Sequence, residues 1–228
     1  MRNVSLRICF SGWLTPLCLA LIWTFFIPCK AVAQSVKPGK SAGTLIFFGD
    51  SITAGYGISP EQAFPALIQK RISAMGWPMN VVNAGLSGET TAGGLRRIDW
   101  TLRQKVSVFI LGLGANDAMR GVDLAMTRKN LEKILDRVRQ SNPEAKLVVL
   151  GMQAPPNLGQ AYTRGFRELF PALAQRYKAA LVPFLLEGVG GIPELNLADG
   201  IHPTVNGHAI IAESVWEVLK PVLARSKH

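Results

Sequence analysis

The stretch "TLIFFGDSITAGYG", residues 44–57, begins as an apolar run and then breaks abruptly. Leu45, Ile46, Phe47 and Phe48 read as a buried strand. Gly49 then lets the chain turn sharply, and Gly55 and Gly57 leave space nearby. Ser51 therefore lies just past the carboxyl end of a strand. A serine in that position is a nucleophile, a helix N-cap, or part of a loop that holds a phosphate. The stretch alone does not choose among them.

Outward from this stretch, the same alternation continues. Strand-like runs occur at residues 79–82, 106–113, 146–150 and 180–182. Between them lie helix-period patterns. Phe64, Leu67, Ile68, Ile72 and Met75 share one face, as do Leu131, Ile134, Leu135 and Val138. Phe166, Leu169, Phe170, Leu173 and Tyr177 share another, and Ile211, Val215, Val218, Leu219 and Val222 a last one. Apolar runs alternating with amphipathic helices indicate an α/β protein with a parallel sheet covered on both faces. Ligands in such folds bind beyond the carboxyl ends of the strands, where Ser51 falls. The chain has 228 residues, 48% of them hydrophobic, which suffices for one sizeable core. No repeat, low-complexity tract or Pro/Ser linker divides it.

Residues 1–33 differ from the rest. They carry Arg2, Arg7 and Lys30, no acidic residue, an apolar stretch over residues 17–27, and Ala31-Val32-Ala33 at the end. This is the anatomy of a secretory signal peptide cut before Gln34, leaving residues 34–228 as a single domain. The other reading is an uncleaved anchor, since residues 8–27 are about long enough to span a bilayer. Ser11, Gly12, Thr15 and Pro16 interrupt that stretch. Cys9, Cys18 and Cys29 all lie in the leader. The mature chain then has no disulfide, no cysteine nucleophile and no thiolate metal site, which suits an oxidising compartment. An exported, periplasmic location is expected.

Loss of the three leader cations lowers the formal charge from +10 to +7. The basic residues are scattered, Arg96, Arg97, Arg120, Arg128, Lys129, Arg137 and Arg139 among them, and read as solvated helix faces. No nucleic-acid motif is present. Weak attraction to anionic lipid head groups is the partner such a charge suggests.

A serine nucleophile needs a base, usually histidine. His202, His208 and His228 are the three available. His228 is terminal. His208 falls inside the last helical stretch and reads as a surface helix residue. His202 sits in "ADGIHPT" before Pro203, which keeps it out of helical geometry. Asp199, three residues earlier, either folds back onto the imidazole or only caps a turn. The reaction also needs donors for an oxyanion. "NAGLSGET" follows the second strand and contains Gly85; "LGLGAND" closes the third and contains Asn116. Gly85 either offers its N–H or merely allows a turn, and Asn116 either offers its amide or caps a helix.

Together, "GDS" at residues 49–51, Gly85 within "NAG", "GAND" at residues 114–117 and "DGIHP" at residues 199–203 resemble the blocks of the SGNH, or GDSL-type, hydrolase family. The resemblance spans about residues 44–223. It implies a flavodoxin-like three-layer α/β/α fold with a five-stranded parallel sheet. Ser51 is the implied nucleophile, His202 the general base and Asp199 its orienting carboxylate. Ser51 N–H, Gly85 N–H and the Asn116 side chain are the implied oxyanion donors. Asp50 is expected to shape the nucleophile turn. No metal or organic cofactor is implied. "GDSITAGYGI", "NAGLSGETTAGGL", "LGLGANDAMRG" and "MQAPPNLG" resemble the bacterial thioesterase/lysophospholipase and arylesterase branch. The implied substrates are carboxylic esters and thioesters: acyl-CoA, lysophospholipids and aryl or short alkyl esters.

Met152, Pro155 and Leu158 lie in the loop after the fourth strand and either line an acyl groove or pack the loop. A rival enzyme reading is a carbohydrate O-acetylesterase. Trp77, Trp100 and Trp216 all lie away from the four blocks in sequence, which speaks against it. A rival of another class is a non-catalytic lipid- or glycan-binding protein, which would not require Ser51, His202, Asp199 and Asn116 together.

Overall fold

Each apolar run extends beside the next in parallel. The computed structural model describes residues 43–224. Strands β1 (Gly43–Gly49), β2 (Met79–Gly85), β3 (Val108–Gly112), β4 (Lys146–Leu150) and β5 (Ala180–Val182) form one sheet in the order β2-β1-β3-β4-β5. All four pairings are parallel. This is the flavodoxin-like order, and it places β1 and β3 side by side at the point where the winding reverses. The helices are α1 (Ser51–Ala54), α2 (Phe64–Ala74), α3 (Thr91–Thr101), α4 (Ala115–Met119), α5 (Leu124–Ser141), α6 (Gln160–Tyr177) and α7 (Val205–Ala224). α2 packs on α7, and α5 packs on both α3 and α6, so helices cover the sheet on both faces.

Leu45, Ile46, Phe47 and Phe48 have no exposed surface, and neither do Phe109 and Ile110 on β3. Each such side chain contributes about 1.5–3 kcal/mol on burial, which holds the central strands at fixed height under the loops they feed. The leader reading lies outside the described residues. Among the described residues, no helix is long and apolar enough to cross a membrane.

Three details depart from the sequence pattern. β2 runs on to Gly85, because its backbone stays in register with β1 up to the pair Gly49 and Gly85. The polar Asn83 and the small Ala84 and Gly85 carry no apolar signal there. β3 is shorter than its apolar run: Val106 and Leu113 are buried but lie outside the ladder. Met75 lies past the last helical residue of α2 and is exposed.

His208 is a fourth departure. It is not a surface residue of α7 but has 0% exposure, and its Nδ1 accepts a hydrogen bond from Phe64 N at 3.2 Å. The imidazole thus satisfies the first free amide of α2, which has no side-chain cap of its own. Burial drives its pKa down to about 4, with a smaller push from the charge of His202. A neutral folded histidine makes stability fall with acid, because the unfolded chain takes up a proton that the folded one refuses. The loss begins near the unfolded value of about 6.5 and is complete below about 4. His208→Gln keeps an acceptor for Phe64 but does not titrate. Urea unfolding of both proteins from pH 8 to pH 4 should show wild type losing stability relative to the variant on acidification. Parallel curves would disprove the assignment.

Candidate active site

The site is built on the carboxyl edge of the sheet. β1 ends at Gly49, and Asp50 caps α1 by accepting from Ile52 N at 3.0 Å. Ser51 is thereby the first residue of a one-turn helix, its side chain in a fixed place. Asp50 is nearly fully buried, and its Oδ2 has no hydrogen-bond partner among the described residues. Desolvation raises its pKa to about 7, opposed by the Ile52 amide and the charge of His202. Asp50 shapes the turn, as expected.

The loop before α7 carries the other partners. Asp199 Oδ1 accepts from Ile201 N at 2.9 Å and His202 N at 3.0 Å, which folds the loop back on itself. Its Oδ2 meets His202 Nδ1 at 2.7 Å. These bonds, the His202 backbone amide first and its side chain next, lower the Asp199 pKa to about 2, so the carboxylate is ionised. His202 Nε2 lies 2.8 Å from Ser51 Oγ. The Tyr56 ring leans on the imidazole at 4.5 Å between centroids. Chain segments 151 residues apart thus meet in one hydrogen-bonded line.

A cavity of about 140 Å³ opens over Ser51, lined by Ile52, Tyr56, Ser87, Gly88, Asn116, Met119, Ile201 and His202 among others. Asn116 stands on the first turn of α4. Its neighbour Asp117 is buried and accepts from Thr91 N at 2.8 Å and Thr91 Oγ1 at 2.5 Å; Asn130 in turn donates to Thr91 Oγ1 at 3.1 Å. This network ties α4 to α3 and α5 and fixes the ground under Asn116.

Gly85 does not occupy the expected place. Its N–H donates to Asn83 Oδ1 at 3.0 Å, and it lines a different groove. Its smallness answers a packing need, since a Cβ there would sit 2.3 Å from Ala54 N. The glycine on the Ser51 cavity is Gly88, in the left-handed region at φ 76°. Its carbonyl accepts from Arg120 Nη2 at 3.2 Å. The sequence signal was present in "NAGLSGET", whose second glycine falls past the strand rather than in it.

The residues read as an acyl groove are also elsewhere. Met152 is buried in the core, and none of Met152, Pro155 and Leu158 lines the Ser51 cavity. Its apolar walls come instead from Ile52, Tyr56, Met119 and Ile201. Trp100, far from the blocks in sequence, lies in the same groove as Gly85 and Leu86. Arg97 is not on a solvated face. It pairs with the buried Glu89, donates to Gly49 O at 3.2 Å and Ala84 O at 2.9 Å, and lies over the Phe48 ring at 4.0 Å. It clamps the carboxyl ends of β1 and β2, the strands that feed Ser51 and Gly88. Among the described residues, no group of three or more His, Cys, Asp or Glu side chains is placed to hold a metal ion.

A doubly wound sheet carrying a serine, a histidine and a carboxylate in line at its carboxyl edge defines the class of α/β hydrolytic enzymes. Residues 47–210 match the GDSL-like Lipase/Acylhydrolase family, and the chain belongs to it. It is an ester-bond hydrolase. Esterase TesA of Pseudomonas aeruginosa is 42% identical over 184 residues, covering 80% of this chain and 90% of that protein. Thioesterase 1/protease 1/lysophospholipase L1 of Escherichia coli is 35% identical over 80% of this chain and 86% of its own length. Among solved structures, TesA superposes with a TM-score of 0.74 over 78% of this chain and 98% of that one, at 42% identity. The psychrotrophic esterase EstA of Pseudoalteromonas superposes at 0.75, with 28% identity over 80% and 99%.

Proposed function

We propose that the chain is an exported serine hydrolase of carboxylic esters and thioesters acting through an acyl-enzyme. Aryl esters, acyl-CoA and lysophospholipids are the substrate types. The observation that carries the reading is the unbroken line from Asp199 Oδ2 through His202 to Ser51 Oγ. In it, Ser51 Oγ–H donates to Nε2, and Nδ1–H donates to Asp199. As Ser51 attacks the carbonyl carbon, its proton passes to Nε2, and Asp199 stabilises the imidazolium that forms. The imidazolium then protonates the leaving group. Water, activated by the same imidazole, releases the acid from Ser51.

The oxyanion donors in this reading are the N–H groups of Ser51 and Gly88 and the side-chain amide of Asn116, with Gly88 in the place first given to Gly85. Support comes from the shared lining of one cavity by Ser51, Gly88 and Asn116. The apolar rim of Tyr56, Met119 and Ile201 suits an acyl or aryl group. The names of the relatives, esterase, arylesterase and thioesterase/lysophospholipase, agree with that substrate range. Export rests on the leader composition of residues 1–33.

The test is a substrate panel on the mature protein: p-nitrophenyl esters of graded chain length, decanoyl-CoA, a lysophosphatidylcholine and an acetylated xylo-oligosaccharide. Turnover of the aryl esters and at least one of decanoyl-CoA and the lysolipid is expected, well above deacetylation of the sugar. Preferential deacetylation would overturn the substrate assignment.

A further inference from the structure

A second cavity, of about 290 Å³, opens where the loop after β4 faces the first turns of α6; Gln153, Ala154, Gln160, Thr163, Arg164 and Arg167 line it. We propose that this cavity is an anion subsite that takes the phosphate group of the leaving portion of the substrate, beside the acyl site at Ser51. The proposal rests on the reading of the enzyme as an esterase of phosphate-bearing acyl compounds.

The lining holds two guanidinium groups and no carboxylate. Elsewhere among the described residues, Arg71, Arg97, Arg137 and Arg176 each pair with a carboxylate, and Arg120 and Arg139 donate to backbone carbonyls; Arg96, Arg103 and Arg128 are unpaired, and none of them lines a cavity with a second unpaired arginine. Arg164 and Arg167 have no ion-pair or hydrogen-bond partner for their side chains among the described residues. Their spacing of three puts both on one face of α6, over the same opening. The other polar groups at the cavity are neutral: the amides of Gln153 and Gln160 and the hydroxyl of Thr163. Paired guanidinium groups with neutral donors and no acid are the chemistry that binds phosphate, by forked, charge-assisted hydrogen bonds.

Position links this cavity to the reaction. The loop leaves the carboxyl end of β4, the same sheet edge at which β1 delivers Ser51. Only β3 stands between β1 and β4, so the strand ends that feed the two sites lie roughly 10 Å apart, two strand spacings. The walls are also joined. Tyr162 OH donates to Val122 O at 2.7 Å, tying the first turn of α6 to the segment just after α4, which supplies Asn116 and Met119 to the Ser51 cavity. The leaving portions of a lysophospholipid and of an acyl-CoA each carry phosphate on a flexible arm attached to the scissile bond. The shared chemistry is the phosphate, and kinetics separates the two carriers.

The experiment compares wild type with Arg164→Gln/Arg167→Gln and the Lys/Lys double variant, using p-nitrophenyl butyrate, decanoyl-CoA and 1-palmitoyl-lysophosphatidylcholine. The Gln pair should raise KM roughly tenfold or more for a phosphorylated substrate, with p-nitrophenyl butyrate kinetics unchanged and the Lys pair intermediate. A rise for decanoyl-CoA alone assigns the subsite to the nucleotide phosphates, and a rise for the lysolipid alone assigns it to the head-group phosphodiester. No change, or the same change for the uncharged ester, overturns the subsite. Should wild type cleave the aryl ester but neither phosphorylated substrate, the substrate reading fails separately. Calorimetry with adenosine 3′,5′-bisphosphate and glycerol phosphate then decides the subsite. Binding of either that is lost in the Gln pair supports it, and no binding by wild type overturns it.

Discussion

Ser51→Ala should lower turnover of p-nitrophenyl butyrate by roughly 10⁶-fold while the protein stays folded. Losses of that order accompany removal of a triad nucleophile elsewhere. The substitution is mild for the fold. Ser51 opens α1, and alanine is tolerated there because the cap is made by Asp50 and the closing amide of Gly55 bonds to the Ser51 carbonyl, not its side chain. Among the described residues the hydroxyl has one side-chain partner, Nε2 of His202, a ring that keeps its other bond, from Nδ1 to Asp199. Removal of Oγ therefore removes the attacking atom and leaves its surroundings in place. The measurements are steady-state hydrolysis on a preparation free of host esterase and a urea unfolding midpoint near that of wild type. Turnover within tenfold of wild type would exclude Ser51 as nucleophile.

The legibility of this site in the sequence followed the way each residue is held. The positions of Ser51 and Asn116 were readable because each falls within five residues of the end of a buried apolar run, residues 45–48 on β1 and 108–111 on β3. Asp199 and His202 were readable because their geometry is local: a carboxylate that bonds the amides two and three residues on folds its own loop. Gly88, the donor proposed in place of Gly85, was not read because strand length is set by the neighbour. β1 holds β2 in register for three residues beyond the last apolar one, which draws Gly85 into the sheet and leaves the second glycine of the block over the cavity. His208 was missed for a similar reason. Its burial depends on a free amide at Phe64, 144 residues away, and nothing in the α7 pattern reports it. Arg97 is misread by any rule that sends charge to solvent, because its partners are two strand-end carbonyls and an acid that is itself buried. Tertiary partners decided all three.

Asn116→Ala should lower kcat by roughly 10²–10³ while KM changes little. Asn116 lines the Ser51 cavity, and in the proposed donor role its amide meets negative charge that exists only once the tetrahedral oxygen has formed. Its placement does not depend on bonds of its own. α4 is held through Asp117, which accepts from Thr91 N and Oγ1, and through Asn130 behind Thr91. Truncating Asn116 leaves that anchorage intact, so lost activity reports a lost donor and not a displaced helix. Asp117→Asn separates the two effects. It weakens the acceptor for Thr91 and should lower the unfolding midpoint, a change that Asn116→Ala should not produce. The oxyanion role also predicts that Asn116→Ala slows acyl transfer from esters and thioesters by similar factors, because both pass through the same oxygen. A rise in KM with kcat preserved would make Asn116 a ground-state contact, and the donor set would then have to be drawn from the backbone N–H groups of Ser51 and Gly88 alone.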